Sequence, residues 1–245
     1  MQDKIQDNTN NSLVPLGSKG LVRLGNSIAI IEKILTESDL QLSNPINWWN
    51  SLNSIWKIIL YNSYKFKNYE HLISLLENST QIPELSKDEI ENILKIERVF
   101  YNNDPADGYY ENDYERLTDV IGIKQLTKLK YLDLGWNNLT EINFNFFNPS
   151  LLEFSGEHNK ISNLNFLNNF PNLESIRLDY NSISEISDLK LRVIKHLNLG
   201  CNKITNVENI QNLKTLEEVS LYNNEIEDLN GFEALVNIRS LSIFG

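Results

Sequence analysis

A single cysteine, Cys201, is all the thiol chemistry this chain of 245 residues has. No intrachain disulfide can form, and zinc sites built on two or four cysteines are excluded. Cations are scarce as well: 22 Lys and Arg stand against 33 Asp and Glu, a net charge of −11. A nucleic-acid reader carries a basic stripe to meet phosphates, so neither DNA nor RNA is expected as a partner. Apolar runs are only a few residues long, far short of the roughly 20 that span a bilayer, and no membrane partner is expected. The opening MQDKIQDNTNNS lacks the apolar stretch of a secretory signal. A soluble, cytoplasmic protein is therefore expected.

Catalytic signatures are missing too. The chain holds no G-x-S-x-G elbow, glycine-rich phosphate loop, H-E-x-x-H helix or dinucleotide fingerprint. Its histidines are His71, His158 and His196. The last two fall two repeats apart in the array described below, which separates their Cβ atoms by about 10 Å or more at the usual strand spacing. That distance rules against a shared metal site, and Cys201 with His158 fails on the same ground. The acidic stretch DPADGYYENDYE lacks the ligand spacing of a calcium loop and reads as solvated. No catalytic residue, metal or cofactor is expected, and no enzyme.

What the chain does have is repetition. From Leu129 the pattern L-x-x-L-x-L-x-x-N-x-L returns five times. The first copy is Leu129, Leu132, Leu134, Asn137, Leu139, and the others centre on Asn159, Asn181, Asn202 and Asn224. Those asparagines are spaced by 22, 22, 21 and 22 residues, and each copy carries one more apolar residue three places on: Ile142, Leu164, Ile186, Val207, Leu229. The L-x-L core has strand period, so its leucines share one face. No copy buries that face alone, but stacked copies share a core. The Asn falls where the strand turns back, where an amide both donates to and accepts from backbone groups left unpaired. Gly156 stands where the second copy wants a leucine, a gap for Phe154 to fill.

On these residues the chain resembles the leucine-rich repeat family, in its short 22-residue class, which is also that of bacterial internalins. The resemblance covers roughly residues 96–245. It implies an α/β solenoid with a curved parallel sheet and a general protein-binding scaffold, and it is nearly silent on what is bound. A degenerate copy starts at Ile96, with Val99 and Tyr101 in strand positions and Asp104 in the Asn position. An inserted loop near 104–115 follows it. Ile238, Leu241 and Ile243 open a partial copy whose strand is expected to lack a complete repeat beyond it.

Residues 1–95 read as a helical N-terminal region and cap. Helices are expected over 27–37, from Pro45 through Leu60 with Ser43 or Asn44 as cap, and over His71–Asn78. Ser86 and Glu89 form a capping box before Ile90, Ile93 and Leu94. The asparagine, isoleucine and lysine content suits an AT-rich bacterium.

The exposed face of the strands supplies the candidate site. Its residues are Tyr131, Asp133, Trp136, Glu153, Glu157, His158, Arg177, Asp179, Tyr180, His196, Asn198 and Tyr222. Aromatic rings among acids are what interface hot spots use, although the same rings could instead cover the solenoid edge. Residues 1–85 carry 7 basic and 8 acidic side chains, so a net −10 lies on the rest and the partner is expected to be a basic protein. The expected function is non-enzymatic protein–protein interaction; the alternative is a regulatory or immunity subunit that inhibits a toxin or enzyme.

Overall fold

The computed structural model describes residues 44–65, 82–104, 116–142 and 146–244. The helices expected over 27–37 and His71–Asn78, and most of the acidic insert, lie outside these residues. The chain divides into two compact units, residues 1–51 and 52–245.

In the first unit, helix α1 (Pro45–Ser51) starts where Asn44 Oδ1 accepts the Ile46 N–H at 3.0 Å. Pro45 has no N–H to lose in the first turn. Trp48 and Trp49 are buried, with ring centroids 6.2 Å apart.

The second unit opens on α2 (Ser54–Lys65). The single helix expected from Pro45 through Leu60 is thus two. The physical reason is Asn53, whose Oδ1 takes the Trp56 N–H at 3.0 Å and so starts a new helix. Trp56 is fully buried, and its indole N–H donates to Asp119 Oδ1 at 2.9 Å. Gly122 lies flat against the Trp56 ring, where a Cβ would come within 2.2 Å of it. Helix α3 (Lys87–Ile93) begins with the expected capping box: Ser86 Oγ accepts from the Glu89 N–H, and Glu89 Oε2 accepts from the Ser86 N–H at 3.0 Å. Helix α2 packs on α3 and on the first strand, so it caps the array.

Seven three-residue strands follow: β1 (Arg98–Phe100), β2 (Tyr131–Asp133), β3 (Glu153–Ser155), β4 (Ser175–Arg177), β5 (His196–Asn198), β6 (Glu218–Ser220) and β7 (Ser240–Ser242). All pairs are parallel and the strands lie in chain order, forming an open sheet. In register, Val99, Leu132, Phe154, Ile176, Leu197 and Val219 face inward and are buried. Each such side chain contributes roughly 1.5–3 kcal/mol of burial. Leu241, at the same place in β7, is 38% exposed, β7 being the edge strand among the described residues. The Phe154 ring takes the space a leucine at 156 would fill: a Cβ on Gly156 would meet Phe154 Cζ at 3.0 Å.

The asparagine ladder forms as the repeat implies. Asn202 is representative: its Oδ1 accepts the Ile183 N–H at 3.0 Å, and its Nδ2 donates to the carbonyls of Leu178, Leu199 and Gly200 at 3.0, 3.0 and 3.1 Å. At the first copy, Asn137 Oδ1 accepts the Leu117 N–H at 2.9 Å, 20 residues back. The next copy spaces Leu139 and Asn159 by the same 20, so the chain is back in register at Leu117 after its insert.

A second series of rungs, ahead of the strands rather than after them, had no counterpart in the repeat pattern. Asn172 Nδ2 donates to the Pro149 carbonyl at 2.8 Å, Thr215 Oγ1 to that of Ile194 at 2.7 Å, and Asn237 Nδ2 to that of Lys214 at 2.9 Å. Exposed Val193 holds the corresponding place in the fourth copy and makes no such bond. Among the described residues, no helix is long and apolar enough to cross a membrane.

Candidate functional site

Past strands β2 to β6 the backbone must turn sharply to bring the ladder asparagine inward. The residue just before that asparagine takes the strain: Trp136, His158, Tyr180, Cys201 and Asn223 have φ between 51° and 55°. Side chains larger than glycine pay about 1–2 kcal/mol for this left-handed conformation. Here the parallel ladder holds them in it. The N–H groups of Trp136, His158, Tyr180 and Cys201 donate to carbonyls of the next copy at 2.9, 3.0, 3.0 and 2.8 Å.

The shared conformation aligns three rings across β2, β3 and β4. Trp136 stacks on His158 with centroids 3.5 Å apart and planes 13° from parallel, and His158 stacks on Tyr180 at 4.0 Å and 11°. Tyr180 is 45% exposed, while the other two are half-buried. Burial holds the imidazole of His158 below its ordinary pKa, against the pull of Asp179 and Glu157.

Carboxylates border this row. Asn102 Nδ2 donates to Asp133 Oδ1 at 3.2 Å and to Glu157 Oε1 at 3.0 Å, bridging two strands. It reaches across because Gly135 has no side chain: a Cβ there would sit 2.6 Å from Asn102 Nδ2 and 2.8 Å from Glu157 Oε1. Ser155 Oγ donates to Glu157 Oε2. Asp179 Oδ1 accepts from Asn198 Nδ2 at 2.9 Å. Burial, reinforced by the charge of Glu157, pushes the Asp133 carboxyl up to about 6, and the Gly135 N–H and Asn102 amide only partly offset this. Burial raises Asp179 as well.

The twelve expected site residues therefore do not form one group. Asp133, Glu157, Asp179 and Asn198 meet beside the ring row. Tyr131 lies under the Arg98 guanidinium at 3.8 Å, and with Asp133 and Arg177 it lines a groove of about 190 Å³. Glu153 is exposed on the same groove. His196 lies apart, with its Nδ1 3.2 Å from Glu218 Oε2. Tyr222 folds over Gly200, where a Cβ would come within 2.2 Å of its ring. Arg98 and Asn102 were not among the expected residues; reading the degenerate copy from Ile96 by the same strand positions would have found both. Among the described residues, no group of three or more His, Cys, Asp and Glu could hold a metal ion.

A family model described as Leucine Rich repeats (2 copies) matches residues 192–234, and one described as Leucine Rich repeat matches residues 125–141. Similar solved structures include an internalin from Listeria monocytogenes, 26% identical with a TM-score of 0.52, aligned over 64% of this chain and 44% of its own. A leucine-rich repeat protein from Leptospira interrogans is 24% identical with a TM-score of 0.53, aligned over 66% of this chain and 40% of its own. This chain thus spans less than half the length of either protein. No curated protein matches its sequence.

Proposed function

The chain is a leucine-rich repeat protein, and from that premise we propose that it is a non-enzymatic module that holds a basic partner protein on the exposed face of strands β2–β6. The carrying observation is the ring row bordered by carboxylates. Trp136, His158 and Tyr180 are kept in a strained backbone conformation, and Asp133 beside them is kept largely desolvated. The strain recurs at Cys201 and Asn223 and belongs to the repeat, but the raised carboxyl works against stability, and shifted carboxyls of this kind collect at functional sites. The face is also lopsided in charge. Asp133, Glu153, Glu157, Asp179 and Glu218 oppose only Arg98 and Arg177 on the strands and the turns after them. This supports electrostatic steering of a basic surface. We place the protein in a bacterium, supported by the bacterial source of the similar internalin, and in its cytoplasm, supported by the single cysteine.

The test is site-specific photo-crosslinking in a lysate of the source organism. A crosslinker at Tyr180 is expected to capture a protein that one at exposed Val193, ahead of β5 and away from the ring row, does not. The captured protein, purified, is expected to bind more slowly as salt rises. Equal capture from both sides, or association indifferent to ionic strength, rejects the reading.

A further inference from the structure

Acids beside the strands and acids at the centre of the face are held differently. On the flanks they have cationic partners: Glu97 pairs with Lys130 at 2.9 Å, Glu174 with Lys195 at 2.7 Å and Glu217 with Arg239 at 2.8 Å. At the centre of the face they do not. Glu157 is held by Asn102 and Ser155 and Asp179 by Asn198, all neutral donors, and neither acid has an ion pair among the described residues. They hold the same position of consecutive copies, in the turns that follow β3 and β4, next to His158 and Tyr180 in sequence.

We propose that the partner anchors on this face through an arginine whose guanidinium lies between Glu157 and Asp179, against the edges of His158 and Tyr180. The inference rests on the binding-face reading and names the group that would be bound there. Three features favour arginine. Glu157 and Asp179 are both half-buried, and a guanidinium sheds water more readily than an ammonium. Two carboxylates at the same position of consecutive turns, close enough for Glu157 to raise Asp179, suit the planar fork of five N–H donors and waste the tetrahedral donors of lysine. A bare metal ion is disfavoured, because the described residues include no cluster able to enclose one. Among the described residues, the two arginines of the face do not fill the place: Arg98 is occupied over Tyr131, and Arg177, although close enough to lower Asp133 and Asp179, forms no ion pair.

The probes are acetyl-Gly-Arg-Gly-amide, its lysine counterpart and its citrulline counterpart, which keeps the shape of arginine without the charge. Each is titrated into the full chain while the Trp136 indole N–H and the His158 ring are followed by NMR. The arginine peptide is expected to saturate, the lysine peptide to bind at least threefold more weakly, and the citrulline peptide not to bind. Glu157→Gln and Asp179→Asn keep the neutral hydrogen-bond partners, and each is expected to weaken arginine at least fivefold with its melting curve retained. Glu227→Gln, exposed and outside the strands, is expected to leave it unchanged. No saturable arginine binding, equal lysine binding, or full affinity in either variant overturns the proposal. If crosslinking at Tyr180 still captures a salt-sensitive partner in that case, the binding face stands and only the anchor falls.

Discussion

Asp133 offers a direct measure of how far the face departs from what stability alone would select. Its carboxyl is raised from an ordinary 3.8 to about 6, first by burial and then by the charge of Glu157. A raised carboxyl means that the native state holds a proton the unfolded chain has already released. Stability from this group is therefore complete below about pH 4 and is lost as pH rises through 6. At pH 7.5 the ionised form destabilises the fold by roughly 2–3 kcal/mol, since each unit of displacement corresponds to about 1.4 kcal/mol. Asp133→Asn removes the charge and keeps an oxygen to accept from the Gly135 N–H, which now reaches Asp133 Oδ1 at 3.0 Å. The variant is expected to be about 2 kcal/mol more stable than the parent at pH 7.5 and indistinguishable from it at pH 4. Urea unfolding at both pH values reads the difference. A variant less stable at pH 7.5, or a gain that does not shrink toward pH 4, refutes the reasoning. Higher stability with weaker partner binding would identify a carboxylate kept for recognition.

Asn202→Ala strands one N–H and three carbonyls in a site only 8% exposed; it is expected to cost about 2–4 kcal/mol, visible as a melting point lower by roughly 6–12 °C and faster amide exchange at Ile183. An unchanged melt would deny the ladder its role. Val193→Asn is expected to add the missing rung of the second series and gain about 0.5 kcal/mol in chemical denaturation, and a loss of stability would count against that series. Trp136→Ala is expected to weaken partner binding by about 2–4 kcal/mol in calorimetry with a small change in melting point. The opposite pattern, a lowered melt with full affinity, would assign the ring to the scaffold.

The fold was legible because its signal is periodic: Leu132, Asn159 and Ile183 mean little singly, but in register they dictate strand, turn and core. The Phe154 and Gly156 exchange could be read the same way, as conservation of volume. Local chemistry also carried far, as the Ser86–Glu89 box shows. The break at Asn53 was hidden because apolar spacing continues through it from Trp49 to Trp56, and only the capping bond reveals two helices. The columns of the site were readable, but its groupings were not. Whether Glu157 meets Asn102 depends on the missing side chain of Gly135, one strand between them. That is a fact about three copies at once, which no single repeat displays. The rungs ahead of the strands escaped because Asn172, Thr215 and Asn237 share a role without sharing a residue type.

The ladder bonds have a direction, and it bears on how the protein is made. Asn159, Asn181, Asn202 and Asn224 each reach to the copy before their own, donating to Leu134, Gly156, Leu178 and Leu199, and none of these four contacts looks forward. A chain leaving the ribosome emerges amino terminus first, at about 5–20 residues per second. Each new asparagine then meets backbone partners that are already synthesised and need not wait for sequence still to come. Growth can proceed copy by copy on the platform that α2 provides against β1, every addition completing the bonds of its predecessor. The array is a zipper that closes in the order of translation, and its loose end at any moment is the one still being built.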